Sequence, residues 1–180
     1  LFRSNCIFII DSRGIFTLNE NELLKRHMNY AKSLKNQANI ELTILTSSKN
    51  VYKEWNNENL KILHFGTNKR FSTKFISNAI KEICKSNYYK VALIAGDPNE
   101  AFVNALIIKY FSQLKAKKQI KIQVQIHSDL FNPNFRKFSL VNRLRYLLGS
   151  VLISKANQIR MVGITQSNYL RSEEHTSELQ

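Results

Sequence analysis

Residues 91–116, VALIAGDPNEAFVNALIIKYFSQLKA, decide the fold. Val91 to Ala95 is a nearly unbroken β run, as expected of a strand covered on both faces. Asp97, Pro98 and Glu100 then stand in the N-cap, N1 and N3 positions of a helix predicted over 97–116. A buried strand that feeds straight into a helix is the repeating unit of a mainly parallel α/β sheet.

The same alternation extends in both directions. Upstream lie apolar runs at Cys6–Ile10, Glu41–Thr46 and Leu60–Phe65, separated by two segments of helical period. The first helix, from about Glu20 to Lys35, puts Leu23, Leu24, His27, Met28, Ala31 and Leu34 on one face, with Asn19 and Glu22 spaced as a capping box. The second, Ser72 to about Lys85, turns Phe75, Ile76, Ala79, Ile80 and Ile83 inward. The piece holding Trp55 reads as irregular. Downstream, Ile120–His127 alternates apolar residues with Lys121, Gln123 and Gln125, the pattern of a strand near an edge or wetted at its start. A last helix over Ser139–Asn157 carries a stripe of Leu140, Val141, Leu144, Leu147, Leu148, Val151 and Leu152, and Gln158–Ile164 is the final strand. The expected fold is therefore α/β, a Rossmann-like, mainly parallel sheet with helices on both faces.

The segment from Arg171 to Gln180, RSEEHTSELQ, breaks the composition abruptly and resembles the translation of a sequencing adapter. The expected domain is thus residues 1–170, with 171–180 an artefact. Setting that tail aside leaves 26 basic against 10 acidic residues and a formal charge near +16, compared with +14 for the whole chain. Such a charge invites a polyanion: nucleic acid, a phosphate-bearing substrate or an anionic membrane. Abundant Asn, Lys and Ile give it a second source in base composition. Cys6 and Cys84 lie in apolar contexts away from any ligand spacing and read as reduced core thiols. No apolar run reaches the roughly 18 to 20 residues of a membrane-spanning helix, and the expected location is cytoplasmic.

Ligands of open α/β sheets bind beyond the carboxyl ends of the strands. The residues there are Asp11, Ser12, Arg13 and Gly14 after the first run, Gly96 to Glu100 after the fourth, and His127, Ser128 and Asp129 after the fifth. The first loop lacks the G-x-G-x-x-G spacing of a dinucleotide site, and no phosphate loop, serine elbow or His-rich metal box is present.

The stretch IQVQIHSDLFNPNFRKFSLVNRLRYLLGSVLISKANQIRMV resembles the N-terminal domain of the family-four retaining glycosyltransferases, of GT-B type. The matching features are His127 ending a strand, Asp129 two places on, the basic helix from Ser139, and the Ala156–Asn157 step. ALIAGDPNEAFVNALIIKYF resembles the same family's preceding strand and helix, with Asp97 and Pro98 in place. Asp11, Arg26, His27, Tyr30 and Ala31 fit more loosely. Two departures stand out: Phe102 where relatives commonly have Gly, and a first loop with Gly14 alone where many carry a paired-Gly turn.

The resemblance implies the acceptor-side half of an enzyme that moves sugar from a nucleotide-sugar donor to an acceptor hydroxyl, in cell-surface polysaccharide or glycolipid synthesis. It implies no metal cofactor, a nucleotide-binding C-terminal half beyond this chain, and a fragment inactive alone. His127 is the implied catalytic residue, contacting the transferred sugar, and Asp97, Asp129, Asp11 and Arg13 are the substrate-side candidates. A cap or turn role competes for Asp97 and Asp129, Glu100 reads as the capping partner of Asp97, and His27 reads as a half-buried structural residue.

The basic cluster Arg136, Lys137, Arg143 and Arg145 flanks the last helix. Core packing of the stripe is the preferred reading, with a weak peripheral attraction of the surrounding surface to an anionic membrane. A nucleic-acid-binding module and a non-catalytic transferase-like binding domain are the alternatives. Aromatic residues at inward-facing periods count against the former, so no nucleic-acid partner is expected.

Overall fold

A computed structural model describes residues 6–11, 21–47, 53–66, 72–126, 137 and 139–161. The elements are β1 (Cys6–Asp11), α1 (Asn21–Ala38), β2 (Glu41–Thr46), β3 (Lys53–Asn57), β4 (Leu60–His64), α2 (Thr73–Lys85), β5 (Lys90–Ala95), α3 (Glu100–Ala116), β6 (Gln119–Ile126), α4 (Leu140–Ile153) and β7 (Gln158–Met161). One seven-stranded sheet runs in the order β3-β4-β2-β1-β5-β6-β7. All pairs are parallel except β3 with β4. With β3 set aside, the six parallel strands follow the order third, second, first, fourth, fifth, sixth, which is the doubly wound Rossmann-like arrangement.

Alternation along β1 explains the two layers. Cys6, Phe8 and Ile10 enter a core with Phe75, Ala79 and Ile83 of α2 and with Ala101, Phe102, Ala105 and Ile108 of α3. Ile7 and Ile9 point the other way, toward Leu23, Leu24, Met28, Ala31 and Leu34 of α1. Each fully buried large apolar side chain contributes about 1.5–3 kcal/mol. Cys6 and Cys84 are both free thiols, Cys6 buried and Cys84 half-buried. Burial pushes the Cys6 thiol up to about 12, which keeps it protonated and inert.

Three local predictions need correction. The piece around Trp55 is a strand: β3 forms a hairpin with β4, Asn57 opposite Leu60, and Trp55 packs beside the α1 core. Polar Lys53, Glu54, Asn56 and Asn57 hid it, because an edge strand needs no apolar periodicity. The alternating strand β6 is wetted on one face along its length. Ile120, Ile122, Val124 and Ile126 are buried under α3, whereas Lys121 is exposed and Gln123 and Gln125 are half-buried. The α4 stripe is the third case, and it faces outward. Leu140, Val141, Leu144, Leu147, Leu148 and Val151 are exposed, while Gly149 is buried and Tyr146, Leu152 and Ile153 pack against the α2–α3 core.

Caps and loops lock the layers. Ser72 Oγ accepts from Phe75 N at 3.3 Å and Ser139 Oγ from Asn142 N at 3.1 Å. Lys118 is buried, and its ammonium donates to the Ser86 carbonyl, to Ser86 Oγ at 3.0 Å and to the Tyr88 carbonyl at 2.9 Å, joining the turns that precede β5 and β6. Asn157 Oδ1 accepts the Ile122 N–H at 2.9 Å, and the Asn157 N–H donates to the Ile122 carbonyl at 2.9 Å, fastening the entry of β7 to β6. That pairing gives the Ala156–Asn157 step a structural reason.

His27 is half-buried on α1. Its Nδ1–H donates to the Leu23 carbonyl at 2.8 Å, and its ring meets Tyr30 edge-on at 5.6 Å. Burial, the largest influence, holds its pKa below the ordinary 6.5; the Leu23 contact opposes this and Arg26 adds to it. Because the folded value is lowered, the stability from neutral His27 is complete above the unfolded pKa and is lost as pH falls through the folded one. His27→Gln is therefore expected to shrink the drop in urea midpoint between about pH 7.5 and 5. Equal drops in wild type and variant would show that His27 does not carry this acid sensitivity.

Candidate functional site

The strand order reverses between β1 and β5, and the carboxyl ends of these strands form the rim where a doubly wound sheet takes its ligand. Ile10 stands opposite Ala95, so Asp11 and Gly96 leave the sheet side by side. A Cβ added to Gly96 would meet no atom within 4 Å, and the rim is open there. Asp11 is buried and accepts from Thr46 Oγ1 at 2.7 Å. Thr46 in turn is the register partner of both Asp11 and His64. Asp11, Thr46 and His64 thus form a buried polar row across the ends of three adjacent strands.

Sequence reasoning selected Asp11 from this row and missed the other two. His64 lies near the end of an apolar run as His127 does, but the run continues to Phe65, which hides it. Thr46 is a partner only through the β1–β2 register, which no local pattern reveals.

The other side of the switch point is the start of α3. The helix predicted from Asp97 begins at Glu100, with Asn99 as its N-cap and Pro98 in the preceding turn. Asp97 still acts on the helix end, because its Oδ1 accepts from Asn99 N at 2.9 Å and from Ala101 N at 3.2 Å. The unpaired N–H groups and positive dipole end of a helix attract an anion. Here the chain supplies its own.

Glu100, read as the partner of Asp97 in a capping box, is paired with Arg145 of α4 at 3.0 Å. That contact spans 45 residues and lay beyond local sequence reasoning. Asn99 is buried, makes no side-chain cap, and its Oδ1 has no hydrogen-bond partner.

Three of the five candidates, Arg13, His127 and Asp129, lie outside the described residues. The structure brings Asp11 and Asp97 to one rim, and Ile126, the residue before His127, ends β6 at that same side of the sheet.

Other surfaces bear on the choice of function. A cavity of about 550 Å³ sits at the opposite, amino ends of the strands, among Cys6, Glu41, Glu54, Lys61, Glu82 and Tyr88. Its charges are largely compensated, with Lys61 3.1 Å from Glu54 and 3.9 Å from Glu82. Tyr88 is pushed up to about 12, chiefly by its hydrogen bond to Glu41. Among the described residues, no group of three or more His, Cys, Asp or Glu side chains is arranged to hold a metal ion. No described helix is long and apolar enough to cross a membrane.

The expectation that aromatic residues face inward holds for Phe8, Phe65, Phe75 and Phe102 and fails for Tyr30, Tyr89, Tyr110 and Phe111, which are exposed. No protein-family model, no curated protein and no solved structure matches this chain.

Proposed function

We propose that this chain is the acceptor-binding, Rossmann-like half of a nucleotide-sugar-dependent glycosyltransferase of GT-B type. The observation that carries the reading furthest is the occupation of the α3 N-terminus by Asp97, which accepts from Asn99 N and Ala101 N. With Asp11 across the switch point, the rim carries carboxylates where a nucleotide-binding half would present bare N–H groups. Carboxylate oxygens accept hydrogen bonds from sugar hydroxyls and repel a diphosphate. The rim is thus suited to a neutral hydroxylated acceptor, and the donor belongs to a second half. In this reading His127, following β6, reaches the transferred sugar, Asp97 and Asp129 line the acceptor side, and Asp11, anchored by Thr46, shapes the floor between them. Arg13 contributes a cation from the first loop.

The resemblance of the β6–α4–β7 segment to family-four transferases supports the reading, and the open rim beside Gly96 is compatible with it. The test has two arms. Calorimetric titration of the 180-residue chain with UDP- and GDP-sugars is expected to give no saturable binding in the micromolar range; such binding would overturn the assignment of the acceptor side. A form joined to the nucleotide-binding half that this reading requires, given labelled nucleotide-sugars and lipid-linked or polysaccharide acceptors, is expected to transfer sugar, and failure with every donor would sink the enzyme reading.

A second reading, nucleic-acid binding, draws on the exposed Tyr110–Phe111 pair, whose rings meet edge-on at 5.4 Å near the end of a helix that also carries exposed Lys115. Tight retention on RNA with a steep salt slope would put it first.

A further inference from the structure

We infer that the outer face of α4 is a docking surface for an anionic lipid bilayer. Leu140, Val141, Leu144, Leu147, Leu148 and Val151 are exposed, from 43% at Leu148 to 79% at Leu140. On a helical projection they fall within an arc of about 120°. The core contact of the helix is made elsewhere, by Tyr146, buried Gly149 and Ile153, so the stripe is surplus to folding. A contiguous apolar strip exposed on a folded domain marks a surface that meets something.

Charge selects the occupant. From Leu130 to Arg171 the sequence contains no acidic residue. Exposed Lys137 precedes α4, and exposed Lys155 follows the helix. Two copies placed stripe to stripe would bring these cations together on chains that each carry +14. An anionic surface neutralises them instead. A helix lying in the bilayer interface buries its apolar arc at the acyl boundary and leaves Lys and Arg among the headgroups.

The Arg145–Glu100 pair clamps α4 beside the start of α3, so a docked α4 holds the Asp97 rim close to the bilayer. Only that last consequence rests on the sugar-transfer reading. Docking itself does not.

The test is co-sedimentation of the 180-residue chain with phosphatidylcholine vesicles and with vesicles in which about a third of the lipid is phosphatidylglycerol. Binding is expected on the anionic vesicles, at least about tenfold weaker on the neutral ones, and reduced by salt. Leu144→Glu with Leu147→Glu, both at exposed positions, should cut binding about tenfold or more with an unchanged circular dichroism spectrum. Lys137→Gln with Lys155→Gln, which disturbs no packed residue, should weaken anionic binding by about fivefold per charge and leave neutral binding unaltered.

Equal binding to both vesicle types would overturn the proposal, as would undiminished binding by either double variant. So would a wild-type dimer in sedimentation equilibrium that the leucine variant dissolves while vesicles bind neither protein, since the stripe would then be a self-contact. None of these readouts involves sugar transfer, so the proposed activity stands or falls separately.

Discussion

Phe102→Ala is expected to destabilise the folded chain by about 3–5 kcal/mol, read as a lowered urea midpoint at unchanged slope. Phe102 is fully buried in the first turns of α3, in the core shared with α2 and the sheet. Truncation removes the transfer free energy of a large aromatic and leaves a cavity that rigid strands β1 and β5 close only partly. The position carries a second meaning. It is one of the departures from the resembled family's pattern, and the bulk of Phe102 is absorbed by the core instead of being directed to the rim. A loss below about 1 kcal/mol would mean that α3 packs loosely against the sheet.

In the two-domain transferase that the proposed function requires, His127→Ala is expected to lower the turnover of sugar transfer by about 10²-fold or more. It should leave the folded state intact. In the proposed function the His127 imidazole, next in sequence after the end of β6, hydrogen-bonds a hydroxyl of the transferred sugar. Losing a contact made in the transition state lowers kcat and kcat/KM together, whereas losing plain acceptor binding raises KM alone. His127→Asn, which keeps a donor and an acceptor, should recover part of the rate. Near-normal turnover in the alanine variant would remove His127 from the site.

How much was legible in the sequence depended on whether the deciding contact was local. VALIA followed by a cap motif gave β5 and the existence of α3. It did not give the helix start, because Asp97 reaches two N–H groups from three residues outside the helix, a geometry with nearly the same residue spacing as a true N-cap. KEWNN carries little apolar signal, and β3 exists because β4 offers it a hairpin partner.

The α4 stripe shows a deeper limit. Periodicity locates the apolar face of a helix, and burying that face is the usual inference; which face meets the domain was decided by Gly149, Tyr146 and Ile153 on the other side. At the candidate site, the strand-end rule found Asp11 and Asp97. The groups that hold or neighbour them, Thr46, His64 and Arg145, come from distant parts of the chain.

The two margins of the sheet have a consequence for how the molecule behaves in bulk. Among the described residues, β3 (Lys53–Asn57) is mostly polar or charged, and β7 (Gln158–Met161) carries exposed Gln158 and Arg160 on either side of exposed Ile159. Charged side chains on outer strands make them poor templates for a further strand and resist cross-β growth. Precipitation of the purified chain should therefore begin at the outer leucines of α4 and give amorphous, lipid- or detergent-soluble material with little fibrillar content.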